Sequence, residues 1–174
     1  MEIWLLRHAV AEDRAASGDD ADRALTPEGR RRAQSVARSL GRLEPEIQRV
    51  LTSPYRRARE TAEPAAQALG LGDALRETSA LEPTADPESI LEELRAEPLR
   101  GALLVGHQPH LGDLLGLLVA RRAKMEFHLR KASLAWVTWD GREAGELRAL
   151  IPAKVLERLA GRPQGISAPP SDLR

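Results

Sequence analysis

Ala102-Leu103-Leu104-Val105-Gly106-His107-Gln108-Pro109 is the stretch on which the reading of this chain turns. Its four successive apolar residues suit a strand buried on both faces, and the Gly, polar and Pro residues after them stop it abruptly. Beyond Pro109, Leu111, Leu114, Leu115 and Leu118 recur at helical spacing, so the unit is strand, turn, helix. Strands of that kind belong to a mostly parallel sheet covered by helices, the α/β class. The turn that ends this one carries a histidine.

The same grammar recurs upstream. Ile3–Leu6 reads as the first strand, followed by Arg7-His8, a polar loop over Ala11–Ala24, and Thr26-Pro27-Glu28 as an N-cap with Pro at the first helical position. The helix that follows sets Ala33, Val36, Ala37 and Leu40 on one face, ends near Gly41, and presents Arg30, Arg31, Arg32 and Arg38 as a solvated face. Val50–Thr52 is a short strand that stops at Ser53-Pro54, read as a second N-cap, ahead of a helix burying Ala58, Ala62, Ala65 and Leu69. Pro64 inside that helix predicts a kink or break. A weak strand over Leu75–Leu81 and a helix over Pro87–Ala96 come next. After Ala120 the pattern becomes a hairpin, Leu134–Trp139 and Glu146–Ile151, joined through Asp140-Gly141. Residues 1–160 therefore read as one catalytic domain, and the Gly-, Pro- and Ser-rich stretch 161–174 as a flexible tail.

Composition narrows the partners. In 174 residues, 26 Lys+Arg balance 26 Asp+Glu, so bulk charge favours neither nucleic acid nor an anionic membrane. There is no Cys, hence no disulfide and no thiolate metal site. Glu2 and Arg7 interrupt any apolar leader and no long apolar run follows, so a cytoplasmic location is expected. Only Lys124, Lys131 and Lys154 are lysines, which makes arginine forks the cations available to any site.

Three strands end in polar residues unsuited to a core: Arg7-His8, Ser53 to Arg57, and Gly106-His107. In a parallel sheet those ends share one edge, where crevices open. Two imidazoles and two guanidinium forks suit a phosphoryl group, whose charge is spread over three equatorial oxygens that each need donors. Arg57, in the first turn of its helix, leans back toward the free N–H groups, whereas Arg56 and Arg59 lie on other azimuths. A metal-dependent hydrolase built on His8, His107 and His110 is a weaker alternative, because Pro109 interrupts the spacing and no two-His helical motif is present. Gly70-Leu71-Gly72 follows a helix and reads as its C-cap, not as a phosphate loop. His110 is expected to open a core-facing helix, His128 to be a polar strand or loop position, and Trp4, Trp136 and Trp139 to be packing residues.

Leu5-Leu6-Arg7-His8-Ala9, Asp22-Arg23-Ala24-Leu25-Thr26, Ser53-Pro54-Tyr55-Arg56-Arg57-Ala58, Thr61-Ala62 and Val105-Gly106-His107-Gln108-Pro109 resemble, in that order, the histidine phosphatase superfamily. The short chain resembles its phosphohistidine phosphatase SixA branch. The resemblance implies a three-layer, phosphoglycerate-mutase-like α/β sandwich and a covalent phosphohistidine on His8. It places Arg7, Arg57 and a protonated His107 around the phosphoryl group, adds Arg23 as a further phosphate contact, and calls for no metal or other cofactor. Most of the superfamily has Gly where this chain has Ala9, a change costing about 1 kcal/mol if the turn needs positive φ.

Members that cleave alkyl phosphates use a carboxylic acid, for which Glu82 and Asp86 lie in the matching region. An alkoxide leaving group needs such an acid, whereas a ring-protonated phosphohistidine departs as neutral imidazole. The short segment between Arg57 and His107 leaves little chain for a lid, so the expected substrate is a protein phosphohistidine. The alternatives are a small phosphorylated metabolite, cleaved as a phosphomonoester, and a module that binds phosphorylated partners without turnover.

Overall fold

The computed structural model describes residues 1–122 and 127–161. The tail expected over 161–174 lies, after Gly161, outside the described residues. The elements are β1 (Glu2–Arg7), α1 (Pro27–Leu43), β2 (Arg49–Thr52), α2 (Arg56–Ala68), β3 (Leu75–Glu77), α3 (Pro87–Ala96), β4 (Gly101–Gly106), α4 (His110–Ala120), β5 (Leu134–Thr138), β6 (Glu146–Ile151) and α5 (Ala153–Leu159). They build one six-stranded sheet in the order β3-β2-β4-β1-β5-β6. The first four strands in that order run parallel, and β5 and β6 add an antiparallel edge.

Alternation along the strands feeds two cores, one on each face. Trp4 and Leu6 of β1, Val50 of β2 and Leu103 and Val105 of β4 pack with Val36 and Leu40 of α1, Ala58, Ala62 and Ala65 of α2 and Leu156 of α5. Ile3, Leu5, Leu51, Ala102 and Leu104 face the other way, against Ile90 and Leu94 of α3 and Leu111, Leu114 and Leu118 of α4. Helices thus cover both faces in the three-layer sandwich expected. Trp4 and Trp136 stack across β1 and β5 with ring centroids 4.9 Å apart, a packing role as read from the sequence.

Local sequence explains the frame of the site. Thr26 caps α1 by accepting from the Gly29 N–H at 3.0 Å, with Pro27 at the first position. A Cβ at residue 29 would run into the Val10 carbonyl, so only Gly lets α1 approach the segment leaving β1 so closely. Four expectations need correction. α2 begins at Arg56, not after Ser53, because the Ser53 side chain is engaged at the site. It runs unbroken through Pro64, since buried Ala58, Ala62, Ala65 and Ala66 hold it against the sheet despite one lost backbone bond. The strand read over Leu75–Leu81 closes at Glu77, and Ser79–Leu81 forms a 3-10 turn capped by Thr78. The fourth concerns the stretch after Ile151, which reads as the end of the domain but forms α5, a helix without a periodic signal because Leu156 is its one buried residue.

Candidate active site

The carboxyl ends of β1, β2 and β4, neighbours in the sheet, bring the polar triplet together. The His8 and His107 rings lie 5.0 Å apart, centroid to centroid, inclined at 54°. Both residues are buried. His8 Nδ1 lies 2.8 Å from the Ala9 carbonyl, which only accepts; Nδ1 therefore carries the proton, and the lone pair is on Nε2. His107 Nε2 stands 2.8 Å from Ser53 Oγ. Ser53 Oγ also accepts the Tyr55 N–H, and His107 Nδ1 is buried with no protein partner.

Two arginines close on this pair. Arg7 donates from Nη1 to the Leu129 carbonyl at 2.8 Å and keeps a buried, unpartnered Nε. Arg57, with its side chain 4% exposed, lies against the Tyr55 ring at 4.9 Å and gives Nη1 to the Asp20 carbonyl and Nη2 to the Asp20 carboxylate. Its Nε is likewise buried without a partner. Arg57 thus leans toward the start of α2, the direction read from its helical phase, while Arg56 points to solvent and pairs with Glu60 at 2.7 Å. Arg23 reaches the group through Asp20, its Nε 2.8 Å from Oδ1. Buried donors without partners are costly unless an anion meets them, and here they come from Arg7 and Arg57, beside the unpartnered Nδ1 of His107.

Burial lowers the His8 pKa to about 3; the Arg57, Arg7 and Lys131 charges act in the same sense, and the bond to Ala9 opposes them. His107 is held lower still, first by burial and then by His8 and Arg57. Near neutral pH both rings are uncharged in these surroundings; the protonated His107 of the sequence reading belongs to the site with a phosphoryl group in it. Fixed positive charge comes from the arginines instead.

Several supports lie outside the polar strand ends, among them Thr61, whose block the resemblance includes without giving it a role. Thr61, fully buried in α2, accepts the Ala9 N–H at 3.1 Å and donates to the Arg57 carbonyl at 2.7 Å, which couples the segment leaving β1 to the first turn of α2. Ala132 donates to the Arg7 and His8 carbonyls from the segment before β5, and the Asp20 contact with Arg57 spans 37 residues. Ala9 is not among the positive-φ residues, so replacing the usual Gly brings no backbone strain. Neither acid candidate hydrogen-bonds to His8 or His107. Asp86 is exposed and caps α3 by accepting from the Glu88 N–H, and half-buried Glu82 makes only backbone hydrogen bonds. Buried His110 opens α4 and exposed His128 precedes β5, both as read. Among the described residues, no three His, Asp or Glu side chains converge to hold a metal ion, and no helix is long and apolar enough to cross a membrane.

A parallel-sheet edge presenting paired imidazoles and orphaned guanidinium donors defines an α/β enzyme that handles phosphoryl groups. Comparison with known proteins makes the class specific. The profile of the histidine phosphatase superfamily (branch 1) matches residues 3–85. The phosphohistidine phosphatase SixA of Escherichia coli is 33% identical over 143 residues, 80% of this chain and 86% of that protein. The SixA homolog of Haemophilus influenzae is 32% identical over 154 residues, 83% and 92% of the two chains. A solved structure of the protein histidine phosphatase SixA complexed with tungstate superposes with a TM-score of 0.80 at 28% identity, covering 90% of this chain and 99% of that one. The chain belongs to the histidine phosphatase superfamily, in its SixA branch, and is a phosphatase of that superfamily.

Proposed function

We propose that this enzyme removes phosphoryl groups from protein phosphohistidine through a covalent phospho-His8 intermediate, with no metal ion. The observation that carries this reading is the facing pair of buried imidazoles, 5.0 Å apart, with the lone pair of His8 fixed on Nε2. Neutral His8 attacks phosphorus through Nε2 as the bond to the substrate's ring nitrogen breaks, and the substrate imidazole leaves neutral because its other nitrogen is already protonated. Arg7, Arg57, Arg23 and, once the ring is protonated, the otherwise unpartnered His107 Nδ1 meet the equatorial oxygens. The dianion's own charge raises the His107 pKa, so a proton is drawn there when the phosphoryl group is in place. Water then attacks phospho-His8 in line, neutral His8 leaves, and the two water protons end on dihydrogen phosphate. Guanidinium forks supply the charge that a divalent ion supplies in other phosphoryl-transfer enzymes, so activity is expected to survive chelator.

Two things support phosphohistidine over a phosphate ester. SixA relatives are named for that substrate, and of the two acid candidates Asp86 is already committed as the cap of α3 while Glu82 makes no side-chain bond to either histidine. The test compares kcat/KM for a phosphohistidine-bearing protein with that for alkyl phosphomonoesters. A preference of 100-fold or more for phosphohistidine is expected. Equal or better turnover of the esters would install Glu82 or Asp86 as an acid, and binding of the phosphoprotein without turnover would make the chain a phospho-binding module.

A further inference from the structure

Asp20 sits where no reading of the sequence placed a functional group. It lies in a 3-10 turn, Asp20–Asp22, of the loop between β1 and α1. Its Oδ2 accepts from Arg57 Nη2 at 2.8 Å, its own carbonyl accepts from Arg57 Nη1, and its Oδ1 lies 2.8 Å from Arg23 Nε. One exposed residue therefore grips the outer edge of a buried guanidinium with two acceptors and ties a second guanidinium to it. The turn is itself held: Asp19 accepts from the Ala21 N–H, and the Ser17 hydroxyl donates to Asp22.

A guanidinium offers two bidentate edges. With Nη1 and Nη2 turned to Asp20, the edge left for an oxyanion is that of the buried, unpartnered Nε. The Asp20 carboxylate also places one negative charge against the two cations that the proposed mechanism uses, and it repels any dianion held beside them.

We propose that Asp20 is a positioning residue that sets oxyanion affinity: it aims Arg57 through its outer edge, links Arg23 to it, and by its charge weakens the hold on inorganic phosphate. This deepens the proposed phosphatase reading and rests on it.

The test is calorimetric binding of inorganic phosphate and competitive inhibition by it, on the full chain. Asp20→Asn keeps the backbone carbonyl and one side-chain oxygen toward Arg57, removes the charge, and gives up the Oδ1 acceptor for Arg23, whose contact is exposed and of little weight. It is expected to tighten phosphate binding about five- to tenfold, with the inhibition constant falling in parallel. Loss of a merely structural contact would loosen binding, so the sign of the change separates the two roles. Asp22→Asn removes a charge from the same turn without touching Arg57 and should stay within about twofold of wild type. Unchanged or weaker phosphate binding in Asp20→Asn, or equal tightening in Asp22→Asn, overturns the assignment of Asp20 alone. Failure of the wild-type protein to bind phosphate at all overturns the pocket and this inference together.

Discussion

Arg57→Ala, paired with Arg56→Ala, tests how α2 presents its cations. The two residues are adjacent in the chain, yet one side chain is buried against Tyr55 and Asp20 and the other is half exposed and bound to Glu60. Loss of one preorganised donor to a transition-state oxyanion costs about 3–4 kcal/mol, and a guanidinium acting on a transferring phosphoryl group is worth at least as much. Arg57→Ala should therefore lower kcat/KM by roughly 10³-fold. The stability cost is smaller. The ion pair with exposed Asp20 contributes about 0–1 kcal/mol, and loss of the buried stem is partly offset by relief of repulsion from Arg7. A fall in Tm of no more than about 4 °C is expected for a chain of this size. Arg56→Ala removes one exposed i,i+4 pair and should change kcat/KM less than about threefold. The assay is dephosphorylation of a phosphohistidine-bearing protein under kcat/KM conditions, with thermal unfolding of each variant. Comparable losses in the two variants, or a greater loss for Arg56→Ala, would refute the placement of Arg57 in the pocket.

The folded-state pKa of His8 lies near 3, and that of His107 is depressed by the same burial, against about 6.5 unfolded. The unfolded chain thus binds more protons below pH 6.5, so stability is complete above that pH and falls as pH drops toward 3. Urea unfolding at pH 7 and pH 5 should show the loss, and His8→Gln should reduce it; an equal loss in the variant would contradict the neutral buried pair. Thr61→Val keeps the shape of the side chain but leaves the Ala9 N–H unpaired. It should lower stability by about 1–3 kcal/mol and slow turnover, both absent if the hydroxyl is incidental.

Much of this arrangement was legible in the residues. Short continuous apolar runs placed β1, β2 and β4, and the abrupt polar endings at Arg7-His8, Ser53 and Gly106-His107 marked the edge they share. Helical phase separated Arg57 from Arg56. Contacts between distant segments were not legible, because no periodic pattern encodes them: the Asp20 grip on Arg57, the Leu129 carbonyl on Arg7, and Thr61 beneath Ala9. Ser53 illustrates how a local rule is overridden. It has the form of an N-cap before Pro54, but its hydroxyl is directed to His107, and the helix starts later. The charge state of His107 depends on burial among Arg57, Arg7 and His8, which three-dimensional packing alone determines.

Rapid-quench labelling with a phosphoryl donor such as phosphoramidate, followed by peptide mapping, asks most directly whether His8 carries the phosphoryl group. Wild-type protein should yield an acid-labile, alkali-stable label on the peptide containing His8, and His8→Ala should yield none. Label retained in His8→Ala, or found in the wild type on any other residue, would contradict the covalent route.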